Sequence, residues 1–408
     1  MSAMDIDSDV STLLASIRSE LESPELINIF YQLEDFYERK LWHQLTQILD
    51  EFYYTYDQTQ ISHDLKNKLY SLFIQQFQSK LNSIKVVDFL LESYPVKDTL
   101  DKLISLRKEF VDNLKKENNF KDNEDPEFKK ILENDDSLIY IDLQIARYNL
   151  YLEKLDEAEK TLSRIEPKFE SLNNEYSSKI NAAYYLTKCQ LYKLTKNYNE
   201  FYKNGLLYLS SVSTLNQDEK IKLCYDLCIA ALLGDKVYNF GELISHDILQ
   251  EFNNEQSQYY WLYQLIQNLN SGNLKEFNKW KNIAFEKSPF LKNHEIFLNQ
   301  KIIIMSLLEL ISLKSTTNKK LTFKEINEFT GTPLNDVEHL IIKCFSLKLI
   351  QGYINQIDEI LIITWLQPRI LNLDQVHSLY THLVDWDNKV EQLGNIVHQS
   401  GGTVWAGL

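Results

Sequence analysis

The sequence predicts an all-α chain: a helical-repeat solenoid built from helix pairs, then a winged-helix module and one long C-terminal helix. Three observations carry this expectation. Glycine and proline are scarce, 10 and 7 in 408 residues, which favours long helices over glycine-looped α/β layers. Apolar residues recur at spacings of three and four through most of the chain. Short polar joints break that pattern at a nearly constant interval, as stacked repeats do.

Taken in order, residues Asp9 to Glu22 make a first helix with Leu13, Leu14, Ile17 and Leu21 on one side, and Pro24 breaks it. Helix pairs follow. Ile27–Arg39 pairs with Trp42–Tyr54, Ile139–Leu152 with Leu155–Ile165, and Ala182–Leu194 with Tyr198–Leu209. Leu223–Leu233 pairs with Phe240–Leu249, and Trp261–Leu269 with Leu274–Ala284. The joints share a grammar, a polar or small turn followed by an apolar residue: Glu153-Lys154-Leu155-Asp156, Thr195-Lys196-Asn197-Tyr198, Gly234-Asp235-Lys236-Val237-Tyr238 and Ser271-Gly272-Asn273-Leu274. Roughly forty residues separate successive joints, the period of TPR-like helix-pair solenoids, which stack into a curved rod. An irregular helical bundle is the alternative. Residues 112 to 136 are rich in Asn, Lys, Glu and Asp and read as a charged linker or insertion.

The segment from Lys320 to Ile370 changes character. Thr322 and Glu325 form a capping box, so a helix starts there. Gly331 ends it, and Thr332-Pro333 opens a second helix carrying Leu334, Val337, Ile341 and Cys344. After Gly352, Tyr353–Ile357 and Ile360–Trp365 read as two strands around an Asp358-Glu359 turn. Helix, turn, helix and hairpin make a winged helix. Many such modules read DNA, but after its first residue, Lys320, this segment has four Lys/Arg (Lys324, Lys343, Lys348, Arg369) against six Asp/Glu. Asp336 and Glu338 would lie near phosphates if the second helix entered a groove. Nucleic-acid affinity rests on Lys/Arg, so this wing is expected to contact protein. Its hairpin has an edge that a neighbouring chain can extend. The candidate contact residues there are Tyr353, Ile354, Gln356, Ile362 and Thr364.

The last helix is expected from Asn372, which with Gln375 can form a reciprocal cap. Val376, Leu379, Leu383, Trp386, Val390, Leu393 and Val397 then follow at spacings of three and four, a heptad seam. The seam comes after the domain has closed, so it is expected to pack on another chain; folding back on its own domain is the alternative. Domain boundaries follow: helical repeats over 1–200, a second domain over 201–370 with the winged helix at 320–370, the seam helix over 371–398 and a tail over 399–408.

Composition narrows the function. A net charge of −15 opposes general binding to nucleic acid or to an anionic membrane. The N-terminus is acidic, unlike a signal peptide. The apolar run Ile302–Leu313 is interrupted by Ser306, Glu309 and Ser312 and is too short to span a bilayer, so it reads as a core helix. Cys224 and Cys228 lie one turn apart among apolar residues, with no histidine nearer in sequence than His246, so they read as core and not as zinc ligands. No phosphate loop, dinucleotide fingerprint, G-x-S-x-G or H-E-x-x-H occurs. No catalytic residue, metal or cofactor is expected.

A repeat array running into a winged helix and a final helix resembles the PCI domain family of scaffold subunits, found in the proteasome lid, the COP9 signalosome and a translation initiation factor. Within it, four stretches resemble a lid subunit: Phe36–Leu45 (FYERKLWHQL), Ala230–Leu243 (AALLGDKVYNFGEL), Thr364–Ile370 (TWLQPRI) and Val384-Asp385-Trp386. The resemblance implies a non-catalytic scaffold of the cytoplasm and nucleus. It implies winged helices aligned side by side and terminal helices gathered in a bundle. Its implied partners are other lid subunits: a neighbouring PCI subunit, the deubiquitinase module and a ubiquitin receptor. A scaffold subunit of one of the related complexes, or a winged-helix nucleic-acid binder, is the alternative.

Overall fold

The computed structural model describes every residue except 1–2, 20–22, 55–60, 119–124, 170–175, 213–215, 255–256, 314–319, 370–372 and 402–408. It divides into two units, Met1–Ser213 and Thr214–Leu408.

The N-terminal unit is helical throughout its described elements. It opens with α1 (Ala3–Ser19), α2 (Pro24–Glu38) and α3 (Trp42–Tyr54). Then α4 (His63–Leu69) runs through one π-turn (Tyr70–Ile74) into α5 (Gln75–Phe77) and a 3-10 turn (Gln78–Lys80). Next come α6 (Ser83–Ser93), α7 (Val96–Glu117) and α8 (Pro126–Asn134). The unit closes with α9 (Asp136–Tyr151), α10 (Leu155–Phe169), α11 (Ser178–Leu194) and α12 (Tyr198–Ser211). The first helix is described as far as Ser19, and Pro24 opens the second, where its missing N–H is harmless. One continuous apolar core runs from Val10 to Leu191, with Phe30, Phe52, Phe73 and Phe89 fully enclosed. Charges in this core are paired. Asp142 accepts from Arg107 at 2.6 Å and from Arg164 at 2.5 Å, and Asp88 accepts from the Tyr140 hydroxyl at 2.6 Å and pairs with Lys179.

The charged stretch 112–136 departs from the expectation of a linker. Residues 112–117 continue α7, and α8 buries Phe128 completely. Phe128, Ile131 and Leu132 fall at i, i+3 and i+4, an apolar stripe too short to stand out among the surrounding charges.

The helix-pair joints share one backbone device. Lys40, Glu153, Lys196 and Gly272 all have φ between 57° and 66°. In each, the next residue donates its N–H to a carbonyl five residues back: Leu41 to Phe36 at 2.9 Å, Lys154 to Asn149 at 2.9 Å, Asn197 to Tyr192 at 3.0 Å, Asn273 to Asn268 at 3.1 Å. This Schellman closure satisfies the last carbonyls and turns the chain sharply into the next helix. Asn197 and Asn273 then cap the next helix, accepting from Glu200 and Glu276. A left-handed conformation is strained for lysine by about 1 kcal/mol. Lys196→Gly is therefore expected to stabilise the N-terminal unit by somewhat under 1 kcal/mol, after the extra unfolded-state entropy of glycine, measured as a rise in Tm.

The C-terminal unit holds α13 (Gln217–Leu233), two short turns of helix α14 (Gly241–Ser245) and α15 (Asp247–Gln250), α16 (Tyr260–Asn270), α17 (Leu274–Lys287), α18 (Pro289–Lys292) and α19 (Glu295–Leu313). The single helix expected over Phe240–Leu249 is broken at His246, whose Nδ1 accepts from the Ile248 N–H and starts a new helix. By length and composition α19 could cross a membrane, but half of its apolar window is buried inside the unit and Lys301 sits in its middle. After it come β1 (Lys320–Thr322), α20 (Phe323–Thr330), α21 (Leu334–Ser346), β2 (Ile350–Asn355), β3 (Ile360–Leu366) and α22 (Leu373–Gly401). The sheet order is β1-β3-β2, antiparallel throughout.

Candidate partner-docking surfaces

The wing is built by local chemistry. Thr322 Oγ1 accepts from the Glu325 N–H at 3.3 Å and Glu325 Oε2 accepts from the Thr322 N–H at 3.0 Å, the reciprocal cap that starts α20. Gly331, at φ 67°, ends it. Lys348, at φ 58°, closes α21 with the same turn as the repeat joints, Leu349 N–H to Cys344 O at 3.1 Å. At the tip, Asn355 Oδ1 accepts from the Ile357 and Asp358 N–H groups, so the turn is ordered by its own side chain.

The sheet order separates the candidate wing residues. Tyr353 and Ile354 lie on β2, an outer strand, with Tyr353 57% exposed. Ile362 lies on β3, which is central: it faces Lys320 on one side and Tyr353 on the other. Ile362 therefore offers no free backbone edge, and its place in the edge set is corrected. The third strand, Lys320–Thr322, is too short to be recognised from its own pattern, which is why the hairpin looked two-stranded. Thr364 is the extra residue of a bulge, since Gln351 faces Trp365 and Gly352 faces Ile363. Gln356 lies past the end of β2, and its amide donates to Glu338 on α21. The sequence reading missed Ile357, 95% exposed at the wing tip.

The final helix is a separate surface. Asn372 and its expected cap lie outside the described residues, as does Thr403 to Leu408 of the tail. Every seam residue is exposed: Val376 46%, Leu379 49%, Leu383 56%, Trp386 65%, Val390 46%, Leu393 61% and Val397 55%. Tyr380, Val384 and Ile396 widen the apolar stripe. Soluble chains rarely expose so continuous an apolar ridge unless another molecule covers it.

The joint after α13 is built differently from the others. Gly234 has φ −69°, so no left-handed turn closes it. Instead Lys301, 1% exposed on α19, reaches across. Its Nζ donates to the carbonyls of Ala231 at 2.7 Å, Leu232 at 3.3 Å and Gly234 at 2.7 Å. The rings of Tyr238, Phe240 and Phe297 lie 5.3 to 5.6 Å from the same atom. Burial pushes this ammonium down to about 7, while Asp235 opposes the shift. The hint in the sequence is slight, one lysine directly before the apolar run Ile302–Met305.

No group of three or more His, Cys, Asp or Glu that could hold a metal occurs among the described residues. Cys224 and Cys228 are fully buried, with sulfurs 4.0 Å apart. Desolvation raises the Cys228 thiol well above its ordinary range, so it stays protonated as a core side chain.

Paired helices leading into a winged helix and then a long exposed helix define a PCI-type protein, and comparison with known proteins agrees. The family of PSD13 N-terminal repeats matches residues 29–266, and the PCI domain matches residues 278–365. The 26S proteasome regulatory subunit RPN9 of Saccharomyces cerevisiae is 36% identical, covering 97% of this chain and 98% of that protein. The probable regulatory subunit rpn9 of Schizosaccharomyces pombe is 32% identical over 94% of this chain and 95% of its own length. The non-ATPase regulatory subunit 13 homolog B of Arabidopsis thaliana is 32% identical over 90% and 92%. The chain belongs to this RPN9/PSD13 family of proteasome regulatory subunits.

Proposed function

We propose that this chain is a non-catalytic scaffold subunit of the proteasome lid. It supports assembly and stability of the regulatory particle, and so ubiquitin-dependent protein degradation, in the cytoplasm and nucleus. The observation that carries the reading is the seam of α22, where Val376, Leu379, Leu383, Trp386, Val390 and Leu393 are 46 to 65% exposed among the described residues. Terminal helices of sister subunits would bury it in a bundle, seated knobs-into-holes. The outer strand β2, with Tyr353 and Ile354, gives a neighbouring PCI subunit a backbone edge to extend or cover. The deubiquitinase module and a ubiquitin receptor are the further partners that the family resemblance suggests. The domain division follows the same logic: repeats over 1–200, PCI domain over 201–370, and a bundle helix over 371–398.

Leu383→Asp combined with Leu393→Asp tests the seam. Both side chains are exposed, so the chain keeps its fold by circular dichroism. Recovery of lid subunits with the tagged variant is expected to fall by roughly tenfold, as for loss of central anchors in an interface. Undiminished recovery in quantitative mass spectrometry contradicts the role given to the seam.

A further inference from the structure

We propose that one flank of α21 and the wing tip form a single face that binds a basic amphipathic helix of a partner protein. This face is distinct from the outer strand edge and from the seam of α22. Leu334, Glu338 and Ile342 follow one another at four-residue steps, so they form one row along α21. Leu334 is 46% exposed and Ile342 49%. Gln356, past the end of β2, donates its amide to Glu338 in the middle of that row, which fixes the wing tip against the helix. The next residue, Ile357, is 95% exposed. Three branched aliphatic side chains thus stand around one carboxylate.

The tip is shaped before any partner arrives. Asn355 Oδ1 accepts from the Ile357 and Asp358 N–H groups, and Asn355 Nδ2 donates to the Asp358 carboxylate at 2.8 Å. An apolar anchor held this way loses little freedom on binding. Charge then selects the occupant. Glu338, Asp358 and Glu359 put three negative charges beside the three apolar residues. Glu338 and Asp358 meet neutral amides, which leave their charge in place, and none of the three is in an ion pair among the described residues. The other titratable groups of α21, Asp336, His339 and Lys343, lie at least about a quarter-turn round the helix from Glu338. Nucleic-acid phosphates are repelled by this face. A second copy, with the same acids and a net charge of −15, is disfavoured for the same reason. A partner helix with leucines on one side and Lys or Arg beside them meets both the apolar row and the carboxylates.

The test uses the full chain and a fluorescein-labelled 18-residue peptide of Leu and Lys patterned as an amphipathic helix, followed by fluorescence anisotropy. Ile342→Asp and Ile357→Asp are each expected to weaken binding about tenfold, as for loss of an apolar anchor. Each adds a negative charge, so a merely electrostatic attraction of the cationic peptide would instead grow. Both positions are exposed, so the variants keep the wild-type melting curve. A peptide of the same composition, reordered to remove its apolar side, is expected to bind about tenfold more weakly. Leu383→Asp with Leu393→Asp, which disables the seam of α22, is expected to leave the affinity unchanged. The readout involves no lid subunit, so it stands apart from the scaffold reading. The proposal is overturned if both isoleucine variants bind the peptide as tightly as wild type, or if the seam variant loses it. Equal or tighter binding of a matched Leu and Glu peptide, or of an RNA decamer, also overturns it.

Discussion

Gly352→Ala is expected to destabilise the C-terminal unit by about 3 kcal/mol, at the upper end of the range for inserting a methyl into a closed contact. A Cβ at this position would lie 2.1 Å from the carbonyl oxygen of Ile362 and 3.1 Å from the Cα of Ile363. Both are backbone atoms of the paired strand, so no side chain can swing aside. The strands must separate just where the bulge already shifts the register between Gln351 and Gly352. The damage is local in origin. It is expected first in hydrogen exchange at the amides of Tyr353 and Asn355, and then as a lowered Tm. Because β2 is an outer strand, the same change is expected to weaken association through that edge. Gly331→Ala is the control. It has positive φ but nothing within 4 Å of the added carbon, so it carries only the left-handed strain of about 1 kcal/mol.

Lys301→Met is expected to destabilise the same unit by about 2–4 kcal/mol at pH 6, because three carbonyls lose their shared donor in a buried place. Methionine keeps most of the volume, so the effect reports the polar contacts and not a cavity. The pH dependence gives a second reading. In the folded chain burial brings this group down to about 7, while in the unfolded chain it titrates near 10.4. Between those values the unfolded state holds a proton that the folded state has released. Wild-type stability relative to Lys301→Met therefore rises with pH through that window, by up to about 1.4 kcal/mol per pH unit. Below pH 7 both states are protonated and the difference levels off. Urea titrations of the two proteins between pH 6 and 9 measure this slope. A flat difference would mean that the three carbonyls and three ring faces hold the ammonium charged throughout.

Much of the fold was readable because it is written locally. The capping box at Thr322, the left-handed glycine at 331 and the asparagine caps at 197 and 273 act within a turn or two of themselves. Helix boundaries such as Trp42–Tyr54 follow from apolar spacing and joint residues alone. The seam of α22 was legible for the same reason: a heptad is a local pattern, whatever covers it. The short α8 was not, because its stripe of three apolar residues is hidden among charges. Nor was the short third strand, whose residues reveal their role only when paired to β3.

Residue order alone thus determined the helix pairs, the winged helix and the apolar ridge at the end, since each depends on periodicity and on caps within a few residues. Tertiary structure decided which strand is outermost, that Ile362 is enclosed between two others, and that Lys301 stitches the α13 joint from a helix about seventy residues away. The reason is range. A hydrogen-bonded turn is specified by neighbours in the chain, whereas sheet order and buried charges are set by partners that only folding brings together.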